Sequence, residues 1–115
     1  MFKKTKPNGH TEVIKGVHLK TLVYGDRTLM VEVKFDKGAV IPSHGHPHEQ
    51  TGYLIVGQLE FVIDGENITA NPGDSWSIPS DVEHSATATD QTVVIEVFSP
   101  VREDYLPYYT VEENN

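Results

Sequence analysis

The chain has 115 residues, material for one modest core, because the share of surface a chain can bury falls with its length. Nine Lys and Arg against seventeen Asp and Glu leave a formal net charge of −8, which repels a phosphate backbone and excludes nucleic acid as a partner. No cysteine is present, so disulfides and thiolate ligands are excluded and any transition-metal site must use imidazole, carboxylate or amide groups.

Met1 to Gly9 is polar and basic with no apolar stretch behind it, and no run approaches membrane-spanning length. A single cytoplasmic domain over residues 1–115, with no membrane partner and loose ends at 1–9 and 111–115, is the expectation. Short segments rich in Val, Ile, Thr and aromatics then follow, punctuated by Pro and Gly. The predicted strands are Val17 to Tyr24, Thr28 to Phe35, Gln50 to Val56, Gln58 to Ile63, Asn67 to Ala70, Ser75 to Ile78, Glu83 to Thr89 and Thr92 to Phe98. In the second of these Leu29, Val31, Val33 and Phe35 alternate with Met30, Glu32, Lys34 and Asp36, so one face meets a core and the other meets water. Asp64-Gly65 between two alternating runs predicts a two-residue hairpin with positive φ at both positions. Asn71-Pro72-Gly73-Asp74 predicts a further turn. Nothing sustains a helical period, so the fold class is all-β, a sandwich or barrel. Past the last strand, Tyr105, Tyr108 and Tyr109 are expected to pack against the barrel or a second copy of the chain.

His44-Gly45-His46-Pro47-His48-Glu49-Gln50 carries the most chemical information. Residues two apart on a strand share a face, so His44 and His46 can aim two imidazoles at one ion and Gln50 continues the parity. A further ligand must come from elsewhere, and His84, in a later segment, is the candidate if adjacent strands bring it near. Glu49 is the alternative carboxylate, but on an extended strand it points to the opposite face. His48 shares parity with His44 and His46, competes with them for the ion, and is assigned to the rim of the site. His10 and His18 lie outside the pattern and are read as surface or satisfied core histidines.

These residues resemble a family. Gly38, His44-Gly45-His46, Gln50 and Gly57 are similar in order and spacing to the first cupin motif, and Gly73, Pro79 and His84 to the second, over roughly residues 28 to 103. The resemblance implies a cupin jelly-roll, or double-stranded β-helix, barrel around one divalent transition metal (Ni, Zn, Mn, Fe or Cu) held by His44, His46, Gln50 and His84. Gln50 stands where many cupins have Glu, and three imidazoles with one neutral amide leave the metal's charge uncompensated. Asp81 replaces the usual Gly of the second motif and Ala88 its closing Asn.

His46-Pro47-His48-Glu49-Gln50 together with Val97-Phe98-Ser99-Pro100-Val101-Arg102-Glu103-Asp104-Tyr105-Leu106 resembles the small cupins of pectin and alginate breakdown, which linearise 4,5-unsaturated monouronates. That likeness implies Glu96 and Arg102 as catalytic residues, Phe98 in the pocket, an anionic sugar acid as partner and a homodimer. Glu96 falls where that family has Asp. It is also the only charge in the apolar run Val93-Val94-Ile95-Glu96-Val97-Phe98, read either as an inward acid/base group or as an outward charge on a solvated face. Arg102 either forks onto a substrate carboxylate or joins Glu103 and Asp104 in a surface ion-pair cluster. Tyr53 and Trp76 are placed in the pocket wall, with ordinary barrel filling as the alternative. The competing functions are an iron-dependent dioxygenase and a non-catalytic metal-dependent binder of sugars or other small ligands.

Overall fold

The computed structural model describes residues 1–110. Ten strands follow in chain order: β1 (Thr11–Ile14), β2 (Val17–Tyr24), β3 (Leu29–Phe35), β4 (Val40–His44), β5 (Glu49–Val56), β6 (Leu59–Ile63), β7 (Glu66–Ala70), β8 (Ser75–Ile78), β9 (His84–Ala88) and β10 (Thr92–Ser99), with a 3₁₀ segment at Glu103–Tyr108. They form a six-stranded sheet in the order β1-β2-β3-β10-β5-β8 and a four-stranded sheet in the order β4-β9-β6-β7. Every pairing within the two sheets is antiparallel. This is the jelly roll that the two motifs implied.

The period-2 pattern decides which faces meet. On β3 the buried residues Leu29, Val31, Val33 and Phe35 alternate with half-buried ones, and on β10 Thr92, Val94, Glu96 and Phe98 do the same. The inner faces of both strands form one core with Leu59 and Phe61 of β6 and Ala86 and Ala88 of β9. A charged side chain on the inner face of β10 is the exception in that row, and it marks where the core becomes a site.

The Asp64-Gly65 hairpin joins β6 to β7 with φ of 50° and 77°, both positive, as a type I′ turn requires. Asp74 N–H donates to Asn71 O at 2.9 Å and closes the other predicted turn. Two strands escaped the sequence pattern. β1 is only four residues long, and β4 contains Pro42 and shows no clean alternation. Both are edge strands, where a missing N–H goes unpunished and the hydrophobic pattern weakens.

After β10 the aromatic tail folds back. Tyr105, Leu106 and Tyr108 pack against the core, and Thr21 Oγ1 donates to Tyr105 O at 2.6 Å. At the N-terminus the expected loose segment is tied at two points: buried Lys20 donates through Nζ to Lys6 O at 2.5 Å and Asn8 O at 2.9 Å. The expectation for 111–115 lies outside the described residues.

Candidate metal centre and cavity

β4 and β9 are neighbours in the smaller sheet, and their register sets His44 directly opposite His84. Beyond His44 the chain leaves that sheet, bends at Pro47-His48 and enters the larger sheet at Glu49. His46 therefore lies in the crossover and not on a strand with His44, so strand parity is not what brings them together. The crossover does it. Asp81 N–H donates to His46 O at 2.8 Å, and a Cβ on Gly45 would sit 3.4 Å from Asp81 O, so the two loops clasp each other closely. Asp81 itself has φ 65°, the left-handed conformation that explains why a glycine is usual there.

The three imidazoles pack together, with ring centroids 4.3 Å apart for His44–His84, 5.1 Å for His46–His84 and 5.6 Å for His44–His46. One ligand nitrogen from each lies within 4.8 Å of the others. Their outer nitrogens are all committed to the backbone: Nδ1 of His44 donates to Pro42 O, of His46 to His48 O and of His84 to Val82 O, each at 2.9 Å. A carbonyl only accepts, so each Nδ1 carries the proton and each Nε2 presents a lone pair. Gln50, buried at the start of β5, places Oε1 3.0 Å from His46 Nε2. Two lone pairs that close call for a positive centre beside them. Burial foremost, then the charges of Arg102 and His84, hold the His46 pKa below its ordinary value, so a proton is disfavoured there. Burial lowers His84 as well. A divalent cation satisfies all four groups, and the donor set fits one.

Gln50 is oriented by its other end, since Nε2 donates to Glu96 Oε2. Trp76 Nε1 donates to the same oxygen at 3.2 Å. Glu96 is 7% exposed and faces inward. Burial is the main cause that pushes its carboxyl up to about 7, against the pull of the Gln50 and Trp76 hydrogen bonds and the Arg102 charge.

A cavity of about 360 Å³ opens beside this cluster, its wall including His44, Gln50, His84, Glu96, Phe98 and Arg102. Arg102 lies over Tyr105 at 4.0 Å and over Phe98 at 5.0 Å, and its Nε donates to both carboxylate oxygens of Asp104 at 3.1 and 3.2 Å. Arg102 thus pairs with Asp104, though not with Glu103, and it also lines the cavity. Asp104, Tyr105 and Tyr108 also line the cavity, a contribution the sequence pattern did not reveal because the 3₁₀ segment that carries them has no periodic signature.

Two pocket assignments are corrected. Tyr53 is 50% exposed and points away from the cavity, since β5 turns Gln50 and Leu54 inward and Tyr53 outward. Trp76 does not line the cavity either; it packs on Phe61 with centroids 4.8 Å apart and reaches Glu96 from behind. His48 contributes the carbonyl that fixes His46, while its own buried Nδ1 has no partner among the described residues.

The family model described as Cupin domain matches residues 31–98. The chain is 34% identical over 97 residues to pectin degradation protein KdgF of Dickeya dadantii, covering 83% of this chain and 88% of that one. The structure of KdgF from Halomonas sp. superimposes with a TM-score of 0.87 at 34% identity, over 92% of this chain and 98% of that one. A shorter match, 36% identity over 58 residues, is to quercetin 2,3-dioxygenase of Bacillus subtilis, and it spans 50% of this chain but 17% of that protein. The chain belongs to the cupin family, and to the KdgF group within it.

Proposed function

We propose that this protein is a metal-dependent enzyme that opens the ring of a 4,5-unsaturated monouronate and ketonises the product, working in the cytoplasm as a homodimer. The observation that carries the reading is that Glu96, Arg102, Gln50, His44 and His84 line one cavity, with His46 packed against that cluster. The likeness to KdgF supports a pectin-derived sugar acid as the substrate class.

The ion, whether nickel, zinc, manganese, iron or copper, would be held by Nε2 of His44, His46 and His84 and by Gln50 Oε1, and when bound it supplies a Lewis-acid charge that these neutral ligands leave uncompensated. Arg102 has its Nε committed to Asp104 and its ring-stacked plane fixed, so the fork of its Nη groups binds the substrate carboxylate. Glu96 has Oε2 occupied by two N–H donors, which leaves Oε1 to move a proton. It takes the proton from the anomeric hydroxyl as the carbonyl forms there and the bond from that carbon to the ring oxygen breaks. It then returns a proton to C4 of the resulting enol, giving the ketone. No water or oxidant is consumed. Burial, which pushes this carboxyl up to about 7 in the metal-free protein, favours a group that both takes and returns a proton. Dimer formation is supported by the outer face of the larger sheet, where Tyr53, Ile55 and Val56 are exposed at 50%, 47% and 51%.

The experiment incubates metal-loaded protein with a 4,5-unsaturated galacturonate or guluronate monomer and follows loss of the enol ether absorbance. Acceleration over the spontaneous reaction, abolished by chelation and by Gln50→Ala, is expected; no acceleration with metal bound would reject the reading. The 58-residue match to a quercetin dioxygenase favours, as a second reading, an iron-dependent oxygenase. Oxygen uptake by iron-loaded protein separates the two, because ring opening consumes none.

A further inference from the structure

Trp76, Gly52 and Glu96 occupy one cross-strand row: Trp76 on β8 pairs with Gly52 on β5, and Gly52 pairs with Glu96 on β10. Adjacent strands are about 4.8 Å apart, so two residues separated by a whole strand ordinarily meet only the side chain between them. Here there is none. A Cβ on Gly52 would fall 2.2 Å from Trp76 Nε1, 2.3 Å from Cε2 and 2.5 Å from Cζ2, so the indole lies flat across the glycine. Gly52 does not have positive φ, unlike Gly57 or Gly65, so its backbone makes no demand for glycine. The indole is what requires it.

By crossing β5 the ring brings Nε1 to 3.2 Å from Glu96 Oε2, the oxygen that also accepts from Gln50 Nε2. Phe61 of the opposite sheet packs against the ring at 57° and holds it there. Glutamate has one more rotatable bond than aspartate, and a proton-transferring carboxylate loses rate steeply when it wanders. We propose that Trp76, laid across Gly52, is the positioning residue for Glu96: it pins Oε2 against Gln50 and turns Oε1 into the cavity. The proton-transfer part of this inference rests on the uronate reading, whereas the contact itself does not.

Trp76 is the only tryptophan in the chain, so its emission reports on the contact directly. Emission spectra are recorded for wild type, Glu96→Gln, Gly52→Ala and their double variant, with and without metal. Steady-state kinetics on the unsaturated monouronate are measured for wild type, Gly52→Ala and Trp76→Phe. Both single variants should shift the emission, non-additively in the double variant, because both disturb one hydrogen bond. Trp76→Phe keeps the ring on Phe61 but has no N–H, and Gly52→Ala keeps the N–H but displaces it. Each should lower kcat about 10²-fold with little change in KM or metal affinity. Emission unmoved by Glu96→Gln and Gly52→Ala would show that indole and carboxylate do not touch, and the proposal falls. A shifted emission with unaltered kcat in Trp76→Phe also overturns it, since the contact would then be packing only. If Gly52→Ala does not fold, Trp76→Phe and Glu96→Gln still decide. If wild type turns over no uronate, the uronate reading fails by itself, and the emission arm alone decides whether the indole holds Glu96.

Discussion

Among the described residues, two groups of side chains could ligate a metal by proximity alone: His44, His46 and His84 at the cavity, and Glu12, His18 and Asp36 on the outside. They differ in how their atoms are spent. In the outer group His18 Nε2 is 3.3 Å from Asp36 Oδ2, Glu12 Oε2 accepts from Gly16 N–H at 2.8 Å, and both carboxylate residues are exposed. In the inner group each outer nitrogen is anchored to a carbonyl, each inner nitrogen has its lone pair free, and Gln50 adds a fourth. Proximity is common on a protein surface. A site needs ligands whose other atoms are already satisfied, so that ion binding does not have to reorganise them.

That contrast can be broken at its strongest point first. His84→Ala should abolish stoichiometric metal binding after desalting and with it all turnover, whereas His18→Ala should retain one metal per chain; elemental analysis of both proteins checks this. Metal carried by His18 would reverse the assignment. Glu96→Gln should keep the metal and lose about 10²- to 10⁴-fold in kcat, the usual worth of a positioned acid/base group, measured by enol ether absorbance and metal content together.

A third test uses stability in metal-free protein. The Glu96 carboxyl is raised from 4.5 to about 7, so the folded state favours its neutral form. Its contribution is fully present below pH 4.5 and is lost as pH rises through about 7, a change of order 3 kcal/mol. His46 and His84, lowered by burial, act in the opposite sense: they stabilise as pH rises towards the ordinary histidine value. The difference between wild type and Glu96→Gln in urea unfolding at pH 5 and pH 8 isolates the glutamate, and equal pH dependence in the two proteins would contradict its burial. The smallest effect belongs to the outer group. Glu12→Gln and Asp36→Asn should each change stability by less than about 0.5 kcal/mol and leave metal content untouched.

The strand pattern from Val17 to Phe98 was legible because one face of each sheet is buried and period-2 alternation records that burial. β4 was not, although it carries His44: a short edge strand with Pro42 has neither the alternation nor the propensity that reveals a strand. His44, His46, Gln50 and His84 were legible as a set from spacing and family likeness, while the reason His44 and His46 converge was misread, since a crossover clasped by Asp81 does what strand parity was expected to do. Tyr53 and Trp76 were assigned to the pocket on residue type. Register turns Tyr53 outward, whereas Trp76 is on the inner face and is kept from the cavity by packing on Phe61 across Gly52.

The sequence by itself determined the all-β class, the hairpin at Asp64-Gly65, the ligand types and the single charge in β10, because each is written in local alternation, turn chemistry or composition. Only the tertiary structure decided that Glu96 faces inward beside Gln50, that Arg102 is stacked and aimed by a tail with no regular pattern, and that an indole can cross a strand at Gly52 to reach a carboxylate. Those outcomes depend on which strands become neighbours, β8 beside β5 and β5 beside β10, and so on contacts between residues 20 apart (Trp76 and Glu96) and 46 apart (Gln50 and Glu96). Local physical chemistry carries no record of that pairing.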